Sequence, residues 1–81
     1  MIEWTRAPSD QNGNPRYICH FMNLLTQQEI NGGRNLYAAA VKRAHKLGGR
    51  KYHNKRYGGG IVFSTYSIKE LETYIKKELE K

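Results

Sequence analysis

The stretch IVFSTYSIKEL, residues 61–71, joins a strand directly to a helix and anchors the fold prediction. The run Ile61–Tyr66 alternates around a β-branched centre, which is typical of a buried strand. Ser67 and Glu70 stand three positions apart, as a helical capping box requires. The sequence therefore predicts a core strand followed by a helix from Ile68 to about Leu79.

A second helix is predicted before this strand, over Asn35 to Leu47. Asn35 is a suitable N-cap, and Gly48-Gly49 can supply the left-handed residue that ends a helix. The apolar residues recur at helical spacing and form one stripe, made up of Leu36, Tyr37, Ala40, Val41, Ala44 and Leu47.

The amino-terminal part of the chain predicts a β-hairpin. Two extended runs, Ile2–Ala7 and Arg16–Met22, flank residues 8–15, which are dense in turn-forming residues. Beyond the hairpin, residues 26–29 match a capping box, but Asn31-Gly32-Gly33 stops a helix within about one turn. We expect a loop there, with room for one short turn of helix.

The predicted element order is β-β-α-β-α, which assigns residues 1–81 to a single domain of the α+β class. We expect two layers, with a small mixed three-stranded sheet and both helices packed on one of its faces. A helix between the second and third strands permits a parallel crossover, which is why the sheet is predicted to be mixed. The other face of the sheet is then open to solvent or to a partner.

Composition predicts a globular protein of the cytoplasm with no membrane partner. Hydrophobic residues make up 38% of the chain and charged residues 26%. The longest apolar run, residues 36–41, is far shorter than the roughly 20 residues that a membrane helix needs. Residues 1–6 show no secretory signal, and a single cysteine, Cys19, fits a reducing compartment.

The charge distribution predicts a polyanionic partner. Fourteen Lys and Arg against seven Asp and Glu leave a net charge of +7. No carboxylate lies between Glu29 and Glu70, whereas surfaces normally mix both signs. The alternative is a basic face that is simply solvated. The same interval holds nine cations, namely Arg34, Lys42, Arg43, Lys46, Arg50, Lys51, Lys55, Arg56 and Lys69.

The strongest candidate site is a predicted loop over residues 50–57, which lies between two glycine clusters, residues 48–49 and 58–60. Arg and Lys side chains can bind phosphates there, and tyrosine rings can stack on unpaired bases. The exposed face of the preceding helix extends this positive surface. Alternatives are a flexible surface loop, or a β-ribbon whose tyrosines pack on the sheet. The candidate nucleic-acid-binding residues are Lys42, Arg43, Lys46, Arg50, Lys51, Tyr52, His53, Lys55, Arg56 and Tyr57.

Catalytic and cofactor motifs are not evident in the sequence. Residues 58–60 precede a strand rather than a helix, which excludes a phosphate-binding loop of the P-loop type. His20, His45 and His53 lack zinc-ligand spacing, so we predict neither metal nor cofactor. We predict that the protein is not an enzyme. A metal-independent ribonuclease stays open, with His53 as acid or base, a tyrosine as its proton partner, and charge stabilisation from Arg50, Lys51, Lys55 or Arg56.

The runs Gly48–Lys55 and Gly58–Phe63 resemble segments of short proteins encoded by bacteriophages. The resemblance covers a minor part of the chain and carries over no site residues. It implies a small protein that binds nucleic acid or a component of the host cell, in the host cytoplasm.

The leading prediction is therefore a non-enzymatic nucleic-acid-binding protein with low sequence specificity. Two alternative partners stay open. One is an acidic host protein, on which the cationic surface would dock as an inhibitor or adaptor. The other is a signalling nucleotide. The sequence also leaves a homodimer open.

Overall fold

The computed structural model describes residues 2–53 and 58–81. In that part of the chain the protein is an α+β domain, as predicted. It has four strands and three α-helices, whereas three strands and two helices were expected. A 3₁₀ turn, Phe21–Leu24, leads out of the second strand. The elements are β1 (Thr5–Ala7), β2 (Arg16–His20), α1 (Gln27–Gly32), α2 (Leu36–Lys46), β3 (Arg50–Tyr52), β4 (Gly60–Ser64) and α3 (Ile68–Leu79).

The sheet corrects the prediction of three strands in a mixed arrangement. Its order is β1-β2-β4-β3, and all three neighbouring pairs are antiparallel. The extra strand, β3, arises from the segment predicted as a loop. It forms because the chain folds back on β4 as a hairpin, with Lys51 opposite Ile61. The expected parallel crossover is therefore wrong, since β4 pairs antiparallel with both β2 and β3.

Helices α2 and α3 pack on the same face of the sheet, as predicted. Trp4 contributes at the edge of this core, where its ring lies edge-on to Phe63 with 5.9 Å between centroids. Burial raises the pKa of the Cys19 thiol to about 12, which fits a core residue rather than a nucleophile. The buried residues of this core are Cys19, Leu24, Leu25, Ala40, Ala44, Ile61, Phe63, Leu71 and Ile75.

The opposite face of the sheet carries a second, smaller apolar cluster. It consists of Ala7, Ile18 and Val62, and Tyr52 packs against it. None of these four residues belongs to a helix. In the described part of the chain the two-layer arrangement is thus the predicted one, with the helices confined to one face.

The helix ends show where local sequence decides the structure. The Glu29 N–H donates to Thr26 Oγ1 (3.1 Å), and the Thr26 N–H donates to Glu29 Oε1 (2.8 Å), which completes the predicted capping box. The resulting α1 is longer than the short turn that was expected. Asn35 occupies the N-cap of α2, but its backbone is left-handed (φ 44°) and its side chain makes no capping hydrogen bond. Asn35 is thus the predicted N-cap by position, without the side-chain hydrogen bond that usually stabilises a helix start.

A tight connection joins α2 to β3 and fixes their relative position. Gly48 has a φ of 91°, the left-handed conformation that glycine tolerates best. The Gly49 N–H donates to the Ala44 carbonyl oxygen (2.7 Å). A Cβ atom on Gly49 would lie 2.6 Å from the Phe63 ring, so only glycine fits without rearrangement. Consequently β3 begins directly beside the carboxyl end of α2.

Candidate nucleic-acid interface

One outward face of α2 combines apolar and basic side chains. Tyr37 and Val41 are four positions apart, as are Ala38 and Lys42, and His45 follows Val41 by four more. Residues at this spacing are neighbours on a helix surface. The helix therefore presents these five side chains together.

Lys51 faces this part of α2 from the neighbouring edge strand. Its cross-strand partner is Ile61, which is fully buried in the core beneath the helices. Paired residues in a sheet point to the same face, so Lys51 points to the helix side. It stays exposed because β3 lies at the edge of the sheet.

These side chains together line a groove of about 400 Å³ between α2 and β3, which we call the α2–β3 groove. Its lining residues are Tyr37, Ala38, Val41, Lys42, His45 and Lys51.

The charged residues that line the α2–β3 groove are all basic. No carboxylate is among its lining residues. Within residues 2–53 and 58–81, neither Lys42 nor Lys51 forms an ion pair. The groove therefore holds two ammonium groups that form no ion pair in the described part of the chain, and these give it a positive potential.

The apolar wall of the groove is held by packing. The Tyr37 ring lies edge-on to Phe21, with 5.3 Å between centroids. Tyr37 and Val41 are half-buried, whereas Ala38 is exposed. The groove thus has a fixed aromatic wall and, at Ala38, a small side chain that leaves space above it.

Arg43, a predicted site residue, forms an ion pair and hydrogen bonds within the protein. Its guanidinium binds both carboxylate oxygens of Glu29, at 2.6 and 3.2 Å, and donates to the Leu24 carbonyl oxygen at 2.7 Å. The Arg43 hydrogen bonds, together with the Thr26 N–H, lower the pKa of Glu29 from 4.5 to about 2. Arg43 therefore ties α2 to the segment around α1.

Lys46 is also compensated by a carboxylate. Its ammonium lies 2.8 Å from Glu78 Oε1 on α3, and Lys81 lies 3.2 Å from the other oxygen of the same group. Hydrogen bonds from Lys46 and Lys81 lower the pKa of Glu78. The charge of Lys46 is thus shared with the terminal helix.

Arg50 and Tyr52 lie on the face of the sheet opposite to Lys51. Arg50 pairs with Val62, and its guanidinium donates to the Gly49 carbonyl oxygen at 2.8 Å. Tyr52 packs on the second apolar cluster, which matches the alternative of a β-ribbon whose tyrosine packs on the sheet. Side chains alternate along a strand, so β3 divides its three candidate residues between two faces.

The last four candidates follow β3 in the sequence. His53 is exposed. Lys55, Arg56 and Tyr57 lie outside the described residues. Of the ten predicted residues, Lys42 and Lys51 share the α2–β3 groove.

Two basic residues near these surfaces were not among the predicted site residues. His45 belongs to the α2–β3 groove, and its spacing of three from Lys42 on a predicted helix was the available signal. Arg16 stands two residues before Ile18 on β2, so the two side chains point to the same face of the sheet. Ile18 and Arg50 both pair with Val62, which places Arg16 on the same face as Arg50. Its guanidinium donates to the Pro8 carbonyl oxygen at 2.7 Å.

Two further properties bear on the kind of site. Among the described residues, no group of three or more His, Cys, Asp or Glu side chains is arranged to hold a metal ion. No helix in that same part of the chain is both long enough and apolar enough to cross a membrane.

The described residues form a small α+β domain with a groove lined by two lysines, in a chain of net charge +7. Residues 1–81 match the family model described as Staphylococcus phage terminal repeat-encoded protein TreK. The chain belongs to this family, which confirms the resemblance to bacteriophage proteins. No curated protein and no solved structure matches the chain.

Proposed function

We propose that this phage protein is a non-enzymatic nucleic-acid-binding protein that contacts phosphates through the α2–β3 groove. The observation that supports the proposal is the pair Lys42 and Lys51. These two lysines come from different elements and line one groove that has no carboxylate among its lining residues. Lys42 also borders Glu29 and Glu78 on the other flank of α2, where those carboxylates are bound by Arg43 and Lys46. Such a surface attracts a polyanion, and binding relieves the repulsion between its cations.

Binding of this kind depends on charge rather than on base sequence. Contacts to phosphate oxygens position a protein on nucleic acid but carry no sequence information. Lys42 and Lys51 are flexible point charges rather than planar, bidentate readers of base edges. We therefore propose low sequence specificity, and action in the cytoplasm of the host cell.

The edge strand extends the proposed contact. Arg50 and Lys51 are adjacent but point to opposite faces of the sheet, and β3 has a neighbour on one side only. A phosphate backbone that crosses this edge can reach Lys51 on the groove side and Arg50 on the other side. This arrangement is consistent with a long, continuous ligand rather than an isolated anion.

The test is a titration of fluorescently labelled oligonucleotides, single-stranded and duplex, at several salt concentrations. If about three phosphates are bound, log affinity falls against log salt with a slope near −2 to −3. Binding that does not respond to salt, or no binding at low salt, would contradict the proposal.

An acidic host protein is the second candidate partner, because the exposed Ala38 and half-buried Val41 in the α2–β3 groove also suit a protein surface. Capture of host components from a lysate, with and without nuclease, separates the two. A partner that survives nuclease treatment supports the protein-binding alternative, whereas one that disappears supports nucleic acid.

A further inference from the structure

We propose that the α2–β3 groove receives one unpaired nucleotide, so that the protein binds single-stranded nucleic acid in preference to duplex. This inference rests on the proposed function and deepens it by specifying the class of nucleic acid. It depends on the shape and the apolar lining of the groove, rather than on its charge alone.

The lining of the groove has two chemical parts. Tyr37, Ala38 and Val41 form an apolar side, and the basic side chains stand beside it. Exposed apolar area does not strengthen binding to a phosphate, because phosphate oxygens interact favourably with ammonium groups and water. A nucleobase, in contrast, gains by leaving water for an apolar or aromatic surface.

The dimensions also favour a single nucleotide. The groove measures about 400 Å³, near the lower end of the range of about 300–1,000 Å³ that is usual for small-molecule sites. A duplex keeps its bases stacked and paired inside a cylinder of phosphates. It would have to flip a base out to use the groove, at a cost that an already unpaired strand does not bear.

The two lysines of the groove are placed to contact the phosphates on either side of one nucleotide. Lys42 lies on the helix wall and Lys51 on the strand wall, so cations stand on both sides of the apolar surface. A nucleotide within a strand has a phosphate on each side of its sugar. With the base against Ala38 and Val41, each lysine can reach one of those phosphates, while His45 stands with Lys42 on the helix wall.

The inference is tested by filling the groove without changing its charge. Ala38 is exposed on α2 and leucine is a good helix former, so Ala38→Leu is expected to fold as the wild type does. Gln28→Leu, at an exposed position on α1, is the matched control for an added apolar side chain. Ala38→Gln provides a second, polar way to fill the space. The ligands are a labelled ten-nucleotide oligothymidine and a mixed-sequence duplex of twenty base pairs.

We expect Ala38→Leu and Ala38→Gln to weaken oligothymidine binding about tenfold, because the larger side chain excludes the base from its apolar contacts in the groove. Duplex binding should change less than about twofold, and Gln28→Leu should bind both ligands as the wild type does. If both Ala38 variants bind oligothymidine normally, or lose both ligands equally, the inference is overturned while the proposed function stands. If the wild type binds neither ligand, the proposed function itself fails and the inference fails with it.

Discussion

Lys42 and Lys51 line the same groove, although one lies on helix α2 and the other on strand β3. The chain brings them together by a tight turn at Gly48 and Gly49, which sets β3 beside the end of α2. Each lysine alone would be an ordinary surface charge. Their common location is what makes a candidate site, and it gives the first prediction.

Replacing both lysines should weaken nucleic-acid binding through charge. For Lys42→Ala/Lys51→Ala we expect an affinity loss of about tenfold or more at low salt, and a salt slope reduced by about 1.5, because two phosphate contacts are lost. Anisotropy titrations against salt measure both quantities.

The matched control removes two positive charges from another surface. Lys69 and Lys77 are exposed on α3, so Lys69→Ala/Lys77→Ala has the same net charge as the groove variant. We expect its salt slope to stay near the wild-type value. If the two double variants lose affinity equally, net charge rather than the α2–β3 groove explains the binding.

The connection between α2 and β3 should tolerate no side chain at Gly49. A Cβ atom there would meet the buried ring of Phe63 at 2.6 Å, so Gly49→Ala is expected to cost about 1–3 kcal/mol of unfolding free energy. Gly32→Ala, where no atom lies within 4 Å, is the control and should be neutral or slightly stabilising. Urea denaturation measures both, and equal stabilities for the two variants would show that the turn is looser than described.

Glu29 should make stability depend on acid pH. Arg43 lowers its folded-state pKa to about 2 from the ordinary 4.5, so the unfolded state binds more protons between these values. The stabilisation is therefore complete above about pH 4.5 and is lost as the pH falls towards 2. Asp10 and Glu78 also have lowered pKa values, so only a comparison with a variant isolates Glu29.

Glu29→Gln supplies that comparison, because glutamine can still complete the capping box. We expect the variant to be less stable than the wild type at pH 7, and the difference to shrink steadily between pH 4.5 and pH 2. Urea denaturation across this pH range measures the difference. A difference that stays constant with pH would show that the ion pair with Arg43 contributes nothing.

Tyr52 should contribute mainly to stability. Its ring packs on Ala7, Ile18 and Val62, so Tyr52→Ala is expected to cost about 1–2 kcal/mol, while Tyr52→Phe keeps the packing. Thermal unfolding distinguishes this from the role in base stacking that the sequence also predicts. If Tyr52→Ala keeps full stability but loses single-stranded binding, the ring stacks on the ligand instead.

Local signals in the sequence were enough to predict two of the helices. Helix α3 runs over Ile68–Leu79 as expected, because Ser67 accepts the Glu70 N–H at 3.2 Å and the apolar spacing continues from there. Helix α2 likewise ends where Gly48 adopts its left-handed conformation. Both features are set by residues within a turn or two of each other.

Strand β3 could not be predicted in this way. It has three residues, two of them charged, and charged residues are characteristic of edge strands. Pairing with β4 stabilises it, and no local pattern shows that pairing. The same hairpin decides the antiparallel sheet, whereas the predicted element order was equally compatible with a parallel crossover.

Only part of the candidate site could be predicted from the sequence, because tertiary contacts decide which cations form ion pairs. The carboxylate-free interval identified the cations, but it could not show which of them fold against acids from outside the interval. Glu29 reaches Arg43, and Glu78 reaches Lys46 from the far end of the chain. These tertiary contacts leave Lys42 and Lys51 as the pair that the groove brings together.

The most direct test of the central claim is a nitrogen-15 NMR titration of the protein with oligothymidine. We expect the largest shift changes on the amides around Ala38, Lys42, His45 and Lys51, and we expect them to diminish as salt is added. Changes confined to α3, or a spectrum that the oligonucleotide leaves unaltered, would contradict this claim.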